Sequence, residues 1–150
     1  MSKRRSAREL ALKILFQVEV GKFTADEALE TSFEQVDPPA EDRGYSEELV
    51  RGVAGQTQEL DQIISDLAQG WSLERLAKVD KNVLRLGLYE LIHRKDIPAN
   101  VVINDAVEVA KKYSTDDSGR FVNGILGSFL RRRDQAGAEG ETESRADADE

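Results

Sequence analysis

Four basic side chains, Lys3, Arg4, Arg5 and Arg8, crowd the start of the chain. Arginine-rich segments of this kind order on single-stranded RNA, where guanidinium groups meet phosphates and base faces. A second pair, Arg120 and Phe121, sets a charge beside a ring of the sort on which unpaired bases stack. Catalysis has fewer candidates. His93 is the single histidine and stands beside Arg94 and Lys95 near a helix end, a place that suits a dipole-complementing cation better than a base. There is no phosphate-binding loop, dinucleotide fingerprint, nucleophile elbow or metal-ligand spacing. Asp116-Asp117 reads as an acidic pair at a helix start, not as a metal site. The absence of cysteine excludes disulfides and thiolate chemistry. These residues point to binding, with no enzyme activity, metal or cofactor expected.

Charge is unevenly distributed. The 150 residues sum to −8, yet residues 1–22 hold six bases against Glu9 and Glu19, whereas residues 134–150 hold seven acids against Arg145. A basic cluster can serve solubility or grip an acidic partner. A basic end on an acidic body fits local recognition better than general nucleic-acid affinity. No apolar run approaches a membrane span and no signal peptide is evident, so a cytoplasmic protein is expected.

Every long segment that must carry these residues has helical periodicity. Ser6 and Glu9 fit a capping box ahead of Leu10, Ala11, Ile14, Leu15 and Val18, and Gly21 ends that helix. Thr24 and Glu27 fit a second box, and Asp37-Pro38-Pro39 breaks the chain. One helix is predicted over 46–67, weakened at Gly52 and Gly55. Asp80 is positioned to cap the segment KNVLRLGLYELI, apolar nearly all round, and Asn100 to cap VVINDAVEVAKKY. A last helix is predicted over 118–132, with Asn123, Gly124, Gly127 and Ser128 opposite the core, where either another helix or a nucleic-acid backbone comes close. The expected fold is all-α, with six or seven helices in two small bundles, one lobe spanning about 1–70 and the other about 71–133. Residues 134–150 lack large apolar groups and are expected to form a disordered acidic tail.

The first helix holds an inconsistency. At 100° per residue, Leu10, Ala11, Ile14, Leu15 and Val18 share one arc, but Leu12 and Phe16 fall at roughly 200° and 240° from Leu10, in the direction of Arg5 and Glu9. Two large apolar groups on a charged face are covered either by a second helix or by a partner protein.

The stretch WSLERLAKVDKNVLRLGLYEL and, after it, DIPANVVINDAVEVAKKYSTDDSGRFVNGILG resemble the NusB family of transcription antitermination factors. The specific motifs are VDKNVLR with LYEL, the pattern IPxxVxINxAVExAK, and FVNG with its preceding DDS; the likeness runs from Arg4 to about Arg131. It implies an all-helical fold of two perpendicular three-helix bundles. It implies binding to the boxA element of nascent ribosomal-RNA leaders as a heterodimer with NusE, a small-subunit ribosomal protein. The pair would act with other Nus factors on RNA polymerase to suppress premature termination, with neither catalytic residues nor cofactor. Carried over by position, the arginine-rich arm falls on Arg4, Arg5 and Arg8 with Lys3 beside it, and the other RNA-facing positions on Asp117, Arg120 and Phe121. The NusE-facing aromatic falls on Phe16, to which the helical wheel adds Leu12, and the acid of the VDK motif falls on Asp80.

Three features depart from the family pattern. Ser6 interrupts the arm, Phe16 carries no hydroxyl, and the acidic tail is additional. Two other readings remain at this level: an accessory RNA-binding module of a ribosomal-RNA methyltransferase system, and a structural protein whose homodimer hides Phe16.

Overall fold

The structure is a computed structural model that describes residues 4–148, with side chains as far as Gly137. Seven α-helices and one 3-10 turn follow in order among the described residues: α1 (Arg5–Gly21), α2 (Ala25–Gln35), α3 (Ala40–Gly55), α4 (Thr57–Leu67), the turn Leu73–Arg75, α5 (Lys78–His93), α6 (Ala99–Tyr113) and α7 (Asp116–Ala148). No strand occurs among them, and no described helix is long and apolar enough to cross a membrane.

Helix α5 lies at the centre because its apolar residues point in most directions around its axis. Val83, Leu84, Leu86, Leu88 and Leu91 are all buried, and α1, α3, α4, α6 and α7 all pack on it. Helix α1 packs on α2 and α3 as well as on α5, and α6 and α7 lie against each other. One continuous apolar core results, from Ala7 and Ile14 in α1 to Val122 and Leu126 in α7.

Helix boundaries depart from expectation where backbone geometry overrides side-chain signals. Gln56 (φ −130°) divides the single helix expected over 46–67 into α3 and α4. Gly52 is needed where α3 meets α5, since a Cβ there would come within 2.2 Å of the Tyr89 ring. The box at Thr24 forms, with Glu27 N–H donating to Thr24 Oγ1 (3.1 Å) and Thr24 N–H to Glu27 Oε1 (3.3 Å). The box at Ser6 does not, because α1 already begins at Arg5. Helix α6 starts at Ala99 behind Pro98, so Asn100 is not its cap. Helix α7 begins at Asp116 and extends to Ala148. Residues 134–137 are exposed and contribute no large apolar side chain to the core.

Candidate nucleic-acid interface

The basic arm is held by the protein's own acids. Lys3 lies outside the described residues. Arg4 precedes α1 and stacks its guanidinium on the Tyr45 ring, 4.3 Å from the centroid. Arg5 donates to Asp105 Oδ1 at 2.8 Å. Arg8 is only 4% exposed. Its Nε donates to both oxygens of Glu90 (2.7 and 3.0 Å), its Nη2 to Glu90 Oε2 (2.7 Å), and its Nη1 to Asp105 Oδ2. The Tyr45 hydroxyl donates to the same Glu90 Oε2 at 2.6 Å. Burial opposes the charge on Arg8, but hydrogen bonding and attraction to Glu90 outweigh it and hold the guanidinium above its ordinary pKa. Burial and the Glu90 charge push Tyr45 up, so its phenol stays protonated and donates. The placement of Arg8 in the RNA arm is therefore corrected. It is an interior cation shared by two carboxylates, with no face left for phosphate.

Leu12 needs the same correction, for a related reason. It is 3% exposed and belongs to the core. Arg8 lies at roughly 160° on the α1 wheel, between Leu15 and Leu12. Its charge made that direction look like surface, so the buried face was drawn too narrow.

Phe16, the next residue round, is 38% exposed, and Val20 and Phe23 continue the exposed apolar row. Neighbouring charges fix this part of α1. Glu19 meets Lys81 Nζ at 2.6 Å and accepts from Asn82 at 2.9 Å, tying α1 to the start of α5. Burial works against the Glu19 carboxylate, yet the Lys81 and Asn82 hydrogen bonds hold its pKa below the ordinary value. On the other side, Lys112 and Tyr113 donate to Glu9, and Lys13 lies 5.7 Å from the Tyr113 ring.

Asp80 sits in the first turn of α5 without capping it; the cap position is Ala77. Its Oδ2 accepts from Ser118 Oγ (2.9 Å), while its Oδ1 is shielded and accepts no hydrogen bond. Ser118 opens α7, where its N–H donates to Thr115 Oγ1 at 3.0 Å. In the same turn, Arg120 and Asp117 form an exposed pair at 3.2 Å. Phe121 is half-buried and faces Trp71, ring centroids 6.5 Å apart and tilted by 59°. A cleft of about 380 Å³ opens here, lined by Trp71, Arg75, Asp80, Asp117, Ser118 and Phe121.

The fold thus gathers Asp80, Asp117 and Phe121 in one place. It leaves Arg4 and Arg5 at the other end of the α1–α6 contact. Asp105, which holds Arg5, and Tyr113, which lies beside Glu9, are about 12 Å apart along α6. The sequence reading passed over Trp71, Arg75, Arg131 and Arg132. The only available signals were a lone tryptophan after a glycine and a run of three arginines, RRR, at 131–133.

The glycine face of α7 resolves in one direction. A Cβ on Gly124 would meet nothing within 4 Å, so among the described residues no other helix packs at that position. Among the described residues no group of three His, Asp or Glu side chains is placed to hold a metal.

Comparison with known proteins fits this geometry. A family model described as "NusB family" matches residues 5–131. A transcription antitermination protein NusB of Desulforudis audaxviator is 46% identical over 133 residues, covering 89% of this chain and 96% of its own length. That of Ruminiclostridium cellulolyticum is 47% identical over 123 residues, 82% of this chain and 85% of its own. Among solved structures, T. maritima NusB superposes with a TM-score of 0.80 at 38% identity, over 87% of this chain and 92% of that one. A crystal structure of the antitermination factors NusB and NusE in complex with dsRNA matches with a TM-score of 0.79 at 30% identity, over 86% and 96%. On the family model and these identities, the chain belongs to the NusB family.

Proposed function

We propose that this chain is a transcription antitermination factor that binds boxA RNA of nascent ribosomal-RNA transcripts together with NusE. In doing so it suppresses premature termination and supports ribosomal-RNA synthesis, reaching RNA polymerase and the other Nus factors through that complex. The observation that carries the reading is the shared cleft. Asp80, the proposed partner-facing acid, lines the same cavity as Asp117 and Phe121, the proposed RNA-facing residues. The solved NusB–NusE–dsRNA complex supports the same pair of ligands. Phe16 with Val20 offers an apolar contact for NusE. Arg5 and Arg120 supply exposed or half-exposed cations at the two ends of the RNA surface. Arg8 is excluded from that set by its burial.

The test is a titration of boxA RNA with this protein, with and without NusE, across salt concentrations. Binding should tighten with NusE and weaken with salt along a straight log–log line. Equal affinity for a scrambled RNA under both conditions would remove the assignment. Phe16→Asp should abolish the gain from NusE while leaving the helical fold intact. If that variant instead turns a dimer into a monomer and leaves NusE binding unchanged, Phe16 serves self-association.

A further inference from the structure

We propose that Trp71 is a base-stacking residue, and Arg131 and Arg132 phosphate contacts, of a single-stranded RNA path that leads from Phe121 onto the outer side of α7. The proposal rests on the RNA-binding reading above and extends it to residues that reading does not use. Trp71 is the only tryptophan of the chain and is 58% exposed. Gly70, at φ +82°, turns the backbone out of α4, and Trp71 N–H donates to Ala68 O at 2.9 Å, so the indole is presented by a fixed turn. Beyond the Trp71–Phe121 pair lies a second cleft, of about 480 Å³, whose rim carries Ser128, Arg131 and Arg132. Arg75 flanks the pair from the first cleft.

Charge identifies the occupant. Both arginines of α3 and the single arginine of α5 meet carboxylates, as do Arg5 and Arg8 of α1. Arg75, Arg131 and Arg132 make no ion pair among the described residues, although the chain has 29 acids to offer. Among the described residues Arg131 donates only to Ser128 Oγ (3.1 Å). Guanidinium groups left unpaired around two rings suit a ligand that brings both anions and flat faces, and a single-stranded nucleic acid carries one of each per nucleotide. Gly124 leaves the neighbouring face of α7 open to a close backbone.

The single indole makes the experiment direct. The full chain, with NusE made free of tryptophan, is titrated with labelled boxA RNA carrying single-stranded extensions. Anisotropy reads binding and Trp71 emission reads stacking. RNA should quench the emission, Trp71→Ala should weaken binding by about tenfold, and the double variant R131A/R132A should flatten the log–log salt slope by about 1.4. Unchanged circular dichroism in both variants, expected for exposed side chains, assigns these losses to the contact. If RNA binds with unaltered emission, and with wild-type affinity and slope in R131A/R132A, the path is overturned while the proposed function stands. Absence of any boxA binding by the wild type removes both. Emission that responds to NusE and not to RNA puts a protein on Trp71 and overturns the path.

Discussion

Arg8→Met is the most informative single change, because it separates an RNA arm from a core cation. The side chains of Arg8, Glu90 and Asp105 are 5%, 1% and 4% exposed. Methionine fills similar volume but withdraws three hydrogen bonds from Glu90 and one from Asp105. Glu90 would keep the Tyr45 hydroxyl and Asp105 would keep Arg5, leaving the carboxylate charge of Glu90 buried without a cation. Breaking a buried pair on one side costs about 3–5 kcal/mol, out of a total stability on the order of 5–15 kcal/mol. For a domain of this size that corresponds to a fall in Tm of about 10–15 °C, measured by thermal and urea denaturation followed by circular dichroism. The triple variant R8M/E90Q/D105N, which removes the stranded Glu90 charge too, should be more stable than R8M alone by more than about 1 kcal/mol. A Tm within about 2 °C of wild type, together with weaker boxA binding, would refute the argument and return Arg8 to the RNA surface.

Other changes test other parts of the fold. Gly52→Ala should destabilise by about 1–3 kcal/mol despite better helix propensity, because its Cβ would lie 2.2 Å from the Tyr89 ring. Gly124→Ala, with open space around it, should stabilise by about 0.5–1 kcal/mol; equal effects in urea denaturation would contradict the α3–α5 contact. Thr24→Ala removes the bond from Glu27 N–H to Thr24 Oγ1 in the α2 capping box and should cost about 1 kcal/mol in the same assay. Glu19 has a folded pKa below its ordinary 4.5, so its contribution is present above pH 4.5 and lost as pH falls below it. Urea midpoints between pH 3 and 6 should fall less steeply in Glu19→Gln than in wild type, and a steeper fall would reverse the sign.

Much of the architecture was legible because periodicity and breakers act locally. The all-round apolar character of α5 announced a central helix, and Asp96-Ile97-Pro98 separated it from α6. The errors share one cause. A residue type was taken as evidence of environment where a distant partner decides it. Arg8 meets Glu90, 82 residues away, and Asp105, 97 residues away, and no local pattern encodes such a neutralisation. Leu12 was misplaced because its neighbour Arg8 was. The break at Gln56 had no proline to mark it. No local pattern marks Trp71 as exposed, since its exposure is set by the turn at Gly70.

The ion cluster also explains why the arm and the apolar patch can occupy one helix without interfering. Helix α1 could satisfy its apolar residues over a range of rotations, since Leu10, Leu12, Leu15 and Phe16 are spread widely about its axis. Arg8 removes that freedom. Its guanidinium must reach both Glu90 on α5 and Asp105 on α6, and one rotation of α1 allows both. At that rotation Leu12 is driven inward, and Phe16, some 40° further round, stops at the edge of the buried arc with 38% of its surface free. Arg5 is carried to the α6 side, where Asp105 receives it from the same carboxylate that holds Arg8. A buried charge therefore sets the angle at which an exposed cation and an exposed ring leave the same helix. Replacing the cluster with uncharged groups could preserve stability yet blur that angle. In R8M/E90Q/D105N, partner binding through Phe16 should consequently fall further than stability does, and full NusE affinity in that variant would show that the apolar packing of α1 fixes its rotation alone.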